Sequence, residues 1–161
     1  MVTMVVPRIR AARPGWARVA RWGHIAWFFG NLYEALVGVP QLLADASTAR
    51  KPSLVGTGSP VRYYAPLAPL LFGSSVVAIV DGWRAGDDKR LLIAGAGSLA
   101  TATGLSIYLI GTVNVPLLAS PAQLTETERR RLIAIWHRIN VVRLIAIVGS
   151  AAALARLHAA E

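Results

Sequence analysis

Four long apolar runs, separated by segments that hold most of the charge, limit what this chain can fold into more than any other feature. A helix rises 1.5 Å per residue, so about 20 apolar residues match the hydrocarbon thickness of a bilayer. The runs cover about residues 24–44, 64–83, 91–118 and 132–157. In lipid every backbone polar group must be satisfied within the chain, so runs of this length are read as helices. The expectation is an all-α integral membrane four-helix bundle over residues 23–161 and a basic interfacial segment over 1–22. Composition agrees: 16% of the residues are charged, against roughly 25% in soluble domains.

The formal net charge is +9. In a soluble protein that would point to nucleic acid. Here the basic residues gather between the apolar runs, so membrane lipids with anionic headgroups are the expected partner and nucleic acid is not. With the N-terminus inside, Arg8, Arg10, Arg13, Arg18, Arg21, Arg84, Lys89, Arg90 and Arg156 fall on the inner side. Arg50, Lys51, Arg62, Arg129, Arg130 and Arg131 fall outside. Nine against six places both termini on the cytoplasmic side of the cell membrane. Trp16 and Trp22 suit the headgroup zone. Ala44-Asp45-Ala46 mimics a signal cleavage site, but the preceding run is too long and contains Asn31 and Glu34, so an uncleaved span is expected. The absence of cysteine excludes disulfides, thiolate nucleophiles and Cys-ligated metals.

Helix punctuation is legible in places. Pro14-Gly15 breaks the basic segment. Pro66 and Pro69 fall in the first turns of the second span, and Pro116 is expected to end or kink the third. Thr125-x-x-Glu128 fits a capping box at the start of the fourth, with Ser120-x-x-Gln123 as an earlier candidate. Gly95, Gly97, Ser98, Ala100, Gly104 and Gly111 form a small-residue series that permits close helix approach.

The polar residues inside the spans are the informative ones, because each ionisable group at mid-bilayer costs about 2.5–3.5 kcal/mol on insertion scales. His24, Trp27, Asn31, Glu34, Gly38 and Gln41 are spaced 3, 4, 3, 4 and 3, which is one helix face. Trp136, Asn140 and Arg143 share a face of the last span, flanked by His137. An arginine cannot shed its proton, so Arg143 requires an anion or several acceptors. Glu34 is the acid well inside a span, at similar depth if the first and last helices are antiparallel, and a Glu34–Arg143 contact is expected. Asn114 stands beside the carbonyl that Pro116 leaves without a donor, near Asn140 and His137 in depth, with Tyr108 deeper on the same helix. His24 lies about 15 Å along the helix from Glu34, too far to share an ion. His137, Glu34 and Asn114 form an alternative ligand set, but no metal site is assigned.

Asn114-Val115-Pro116-Leu117, a short charged loop, then Trp136-His137-Arg138-Ile139-Asn140-Val141-Val142-Arg143 resembles the anthrone oxygenase-like family of small four-helix membrane proteins, long catalogued as a domain of unknown function. The likeness covers the C-terminal third. Asn31-Leu32-Tyr33-Glu34 resembles a subset of that family, and the middle of the chain agrees in hydropathy alone. The resemblance implies oxygenation of electron-rich polycyclic phenols such as anthrones. Such chemistry needs a base and a fixed positive charge beside the developing anion. His137 or Glu34 is the candidate base, and Arg143 the candidate anion holder. Asn31, Asn114 and Asn140 are candidate hydrogen-bond donors, and Trp27, Tyr108 and Trp136 candidate surfaces for a flat aromatic ring. No cofactor is legible, and this chemistry asks for none beyond molecular oxygen.

Two other functions stay open at this level. A non-catalytic membrane scaffold or subunit requires a filled interior. A carrier for a small lipophilic molecule requires a cavity with no base beside the ligand. Oligomeric state is not encoded in any pattern seen here.

Overall fold

The structure of the protein, a computed structural model, describes residues 15–45, 61–119 and 124–159. Arg8, Arg10, Arg13, Ala46, Arg50, Lys51 and the candidate cap at Ser120-x-x-Gln123 lie outside the described residues. Those that are described form helices α1 (Trp16–Leu36), α2 (Val39–Asp45), α3 (Val61–Ala85), α4 (Lys89–Leu109), α5 (Val115–Ala119) and α6 (Glu126–Ala159). A π-helical turn, Ile110–Asn114, joins α4 to α5. Among the described residues three helices are long and apolar enough to cross a membrane: Val61–Ala85, Lys89–Leu117 and Glu126–Arg156, with mean hydropathies of 1.6, 1.5 and 1.6.

The first apolar run departs from expectation. Its helix begins earlier, at Trp16, and stops at Leu36 instead of continuing to residue 44. Gly38 explains the stop, because it adopts φ +67°, a left-handed conformation that ends helices and suits glycine. Pro40 then falls in the first turn of α2, where its missing N–H costs nothing. Trp16, Arg18 and Arg21 therefore belong to α1 and not to a separate interfacial element.

Pro116 does not end its helix. The π turn before it widens the spiral, Val115 N–H reaches the Ile110 carbonyl, and helix resumes through Pro116. At the start of α6 the capping box forms as read. The Glu128 carboxylate accepts from the Thr125 N–H at 2.8 Å and from its hydroxyl at 2.7 Å, and Thr125 Oγ1 accepts from Glu128 N–H at 3.3 Å.

Around the bundle the order is α3, α1, α6, α4. Contacts are extensive between α1 and α3, α1 and α6, and α4 and α6, and sparse between α3 and α4 despite their short hairpin through Gly86. Small residues set the close approaches: Gly95 faces Ala153, Gly149 faces Ser98, and Gly23 faces the backbone of Leu71. Gly97, Gly104 and Gly111 face open space and take no part in this packing. One central layer joins Trp27, Leu71, Leu99, Ala102 and Ile147, so that α1, α3, α4 and α6 all contribute. Hydroxyls within the helices bond back to their own backbone, as Ser75 does to the Leu71 carbonyl and Thr103 to the Leu99 carbonyl.

Candidate functional site

The inward face of α1 carries Ala17, Ala20, Gly23, His24, Trp27 and Asn31, the three-to-four spacing of one helical stripe. One turn beyond Asn31 stands Glu34. Opposite, α6 presents Trp136, Asn140, Arg143 and Ile147, all buried. The two helices are tied at this level by Asn140 Nδ2, which donates to the Asn31 carbonyl at 3.3 Å. The similar depth of Glu34 and Arg143 read from the sequence is therefore realised.

Arg143 is 6% exposed. Its Nε and Nη2 donate to Asn140 Oδ1 at 3.1 and 2.5 Å, and its Nη1 donates to Ser106 Oγ at 3.4 Å. The indole of Trp136 lies 5.8 Å from the guanidinium carbon, close enough for a cation–π attraction. These neighbours solvate the guanidinium, and the Glu34 carboxylate adds an attractive charge. Glu34 and Arg143 attract each other electrostatically, but they front a common space and do not close into an ion pair within 4 Å.

That space is a cavity of about 360 Å³, within the range of small-molecule sites. Its walls are mostly apolar, from Leu67, Leu71, Phe72, Ile107 and Ile110. Its polar groups come from Asn31, Glu34, Tyr64, Ser106, Asn114 and Arg143. Trp27 forms one wall, edge-on to Phe72 with ring centroids 5.6 Å apart. The Tyr64 hydroxyl is buried near the Glu34 carboxylate and feels its charge.

Not every expected site residue reaches this cavity. Trp27, Asn31, Glu34, Asn114 and Arg143 do. Asn140 sits behind the wall and orients the guanidinium. Trp136 packs into a separate apolar cluster with Leu109, Val113 and Leu117. His137 points elsewhere: the Gln41 side-chain amide donates to its Nε2 at 2.9 Å, so α2 and not the cavity is its neighbour. Tyr108 is half-exposed and lines a different cleft of about 330 Å³, with Thr112, Pro116 and Leu132. The sequence placed His137 at the site as a flank of the α6 face and by depth, and Tyr108 by depth, but each faces a different side of its helix.

Sequence reading missed Tyr64, Thr103 and Ser106. Thr103, Ser106, Ile110 and Asn114 are spaced 3, 4 and 4, so the face that Asn114 defines already contained two of them. Tyr64 carried no such signal, since it opens an apolar run. Among the described residues no group of three or more His, Asp or Glu side chains is placed to hold a metal together.

Fold and site together define a helical bundle with a mostly apolar internal cavity and one carboxylate and one guanidinium at its wall. No known protein family matches the chain, and no curated protein or solved structure is significantly similar to it.

Proposed function

We propose that the protein is a four-span membrane protein, α1 being the fourth span, that oxygenates a lipophilic, electron-rich aromatic substrate of the anthrone type. Both termini are assigned to the cytoplasmic side. Arg18, Arg21, Arg84, Lys89, Arg90 and Arg156 belong to one end of the bundle, which suits an anionic leaflet. The observation that carries the functional reading is that Glu34 and Arg143 front the same apolar cavity. A scaffold has no use for a void of about 360 Å³ beside two charges whose burial is costly. The likeness of the Asn114–Leu117 and Trp136–Arg143 segments to anthrone oxygenase-like proteins supports the same choice.

The chemistry follows from the groups present. Glu34 removes a proton from the activated methylene, and Arg143 holds the resulting enolate oxygen. The carbanion adds to molecular oxygen, the oxidant, and the peroxide takes back the proton from Glu34. Loss of water from the hydroperoxide then breaks the O–O bond and the second C–H bond. In balance, one methylene and one dioxygen give one ketone and one water. Asn31 and Asn114 are placed to orient polar groups of the substrate, and Trp27 to stack on its ring.

Oxygen uptake by membranes containing the protein, with an anthrone as substrate, tests the reading. Glu34→Gln should lower turnover by about 100-fold or more, the scale of a lost general base. Arg143→Ala should do the same through loss of the anion holder. Arg156→Ala, at the far end of α6, should leave it unchanged. Wild-type rates in both cavity variants would exclude the mechanism.

A further inference from the structure

The weak seam between α3 and α4 forms a groove of about 550 Å³ lined by Val76, Ile79, Val80, Ala96, Ala100 and Gly104. Phe72, Thr103 and Ile107 line both this groove and the cavity that holds Glu34 and Arg143. The two spaces are therefore neighbours that share a wall, one with charged groups and one apolar. The groove runs from Phe72 to Val80 along α3, about 12 Å at the helical rise. Val76, Val80 and Ile107 are substantially exposed there, so it opens outward from the bundle between two helices of membrane-spanning length and hydropathy.

The geometry points to a two-part ligand: an aromatic head in the cavity, against Arg143 and Glu34, and an alkyl or isoprenoid tail lying along the α3–α4 groove. This rests on the reading of the cavity as a ligand site and names the class of molecule it takes. Three observations favour a tail of the ligand over an unrelated lipid chain as the occupant. The groove shares the side chains of Phe72, Thr103 and Ile107 with the cavity, so the two spaces meet there. Its floor is small, through Ala96, Ala100 and Gly104, so a single hydrocarbon chain can lie close to the α4 backbone. And α3 and α4 touch so little that head and tail can enter together, sideways from the hydrocarbon, past Phe72 and Ile107.

Gly104 provides the test, because a Cβ added there meets nothing within 4 Å. Gly104→Phe therefore starts its side chain in open space and directs a ring into the groove. Calorimetric affinities are measured for a naphthol and for the same naphthol bearing a dodecyl chain, with full-length protein in phosphatidylcholine nanodiscs. Gly104→Phe should weaken the dodecyl compound by about tenfold, from the apolar contact removed, and leave the plain naphthol within about twofold of wild type. Comparing the two proteins cancels partitioning of the ligand into lipid, and retained naphthol binding reports that the variant is folded. Equal effects on both compounds, or none on either, overturn the tail assignment and leave the head site standing. If Arg143→Ala fails to weaken the plain naphthol, the head site itself is wrong. Binding of neither compound overturns both. A photoreactive group at the end of the tail gives a second readout: it should label the protein near Val80 or Ala96, and labelling confined to other helices overturns the proposal.

Discussion

Replacing Asn140 by leucine tests whether Arg143 is held by its own helix or by Glu34. Leucine keeps the same branched skeleton of side-chain heavy atoms, with bulkier methyl ends, so the chief change is the loss of the polar groups. What is lost is the acceptor of two guanidinium hydrogen bonds, at 3.1 and 2.5 Å, and the donor to the Asn31 carbonyl. A hydrogen bond to a charged group contributes about 1.5–3 kcal/mol and a neutral one about 1 kcal/mol. The two bonds share one acceptor and Ser106 remains in place, so the terms do not simply add. A loss of about 3 kcal/mol is expected, mostly from a buried charge left short of partners. Arg143→Leu added to Asn140→Leu should then recover about 2 kcal/mol, because the charge that needed compensation is gone. Reversible unfolding in mixed micelles, followed by circular dichroism, measures both variants. If Asn140→Leu lies within about 0.5 kcal/mol of wild type, or the double variant is as unstable as the sum of the singles, Asn140 is not the group that holds Arg143.

Two further outcomes follow from specific contacts. A Cβ at Gly30 would lie 2.7 Å from Tyr63 Cε1 and 2.9 Å from the Tyr64 hydroxyl, so Gly30→Ala should displace α3 at the cavity mouth and lower stability by about 1–3 kcal/mol, read by the same unfolding assay. His137→Ala should leave anthrone-dependent oxygen uptake within about twofold of wild type, because His137 faces Gln41 and not the cavity; a loss as large as that expected of Glu34→Gln would return His137 to the reaction.

The helical class and the last three long helices were legible because hydropathy is a sum over many residues and tolerates local exceptions. Boundaries were legible where a side chain reports them, as at Thr125 and Glu128. They were misread where a single backbone angle decides. Gly38 was placed in the polar stripe of the first run, yet its left-handed φ ends α1 there and turns Gln41 onto α2. Pro116 was read as a stop or a kink; a proline removes one donor only, and a π turn accommodates that loss without ending the helix.

Site legibility followed the same division. Spacing of three and four residues assigned Trp27, Asn31 and Glu34 to one face of α1 and gathered Trp136, Asn140 and Arg143 on α6, because periodicity fixes direction as well as depth. His137 was assigned as a flank of the α6 face and by depth, and Tyr108 by depth, and neither signal fixes which way a side chain points. The difference bears on mechanism. The Arg143 guanidinium is hydrogen-bonded by Asn140 on its own helix and by Ser106 on α4, so it is solvated without a direct bond to the carboxylate across the cavity. Had Glu34 closed onto Arg143, the pair would have been a structural clasp and neither group would be available to a ligand. The Asn140 side chain, one turn before Arg143, binds the guanidinium, and Glu34 and Arg143 remain two groups of opposite charge facing one space, the arrangement on which the proposed proton removal rests.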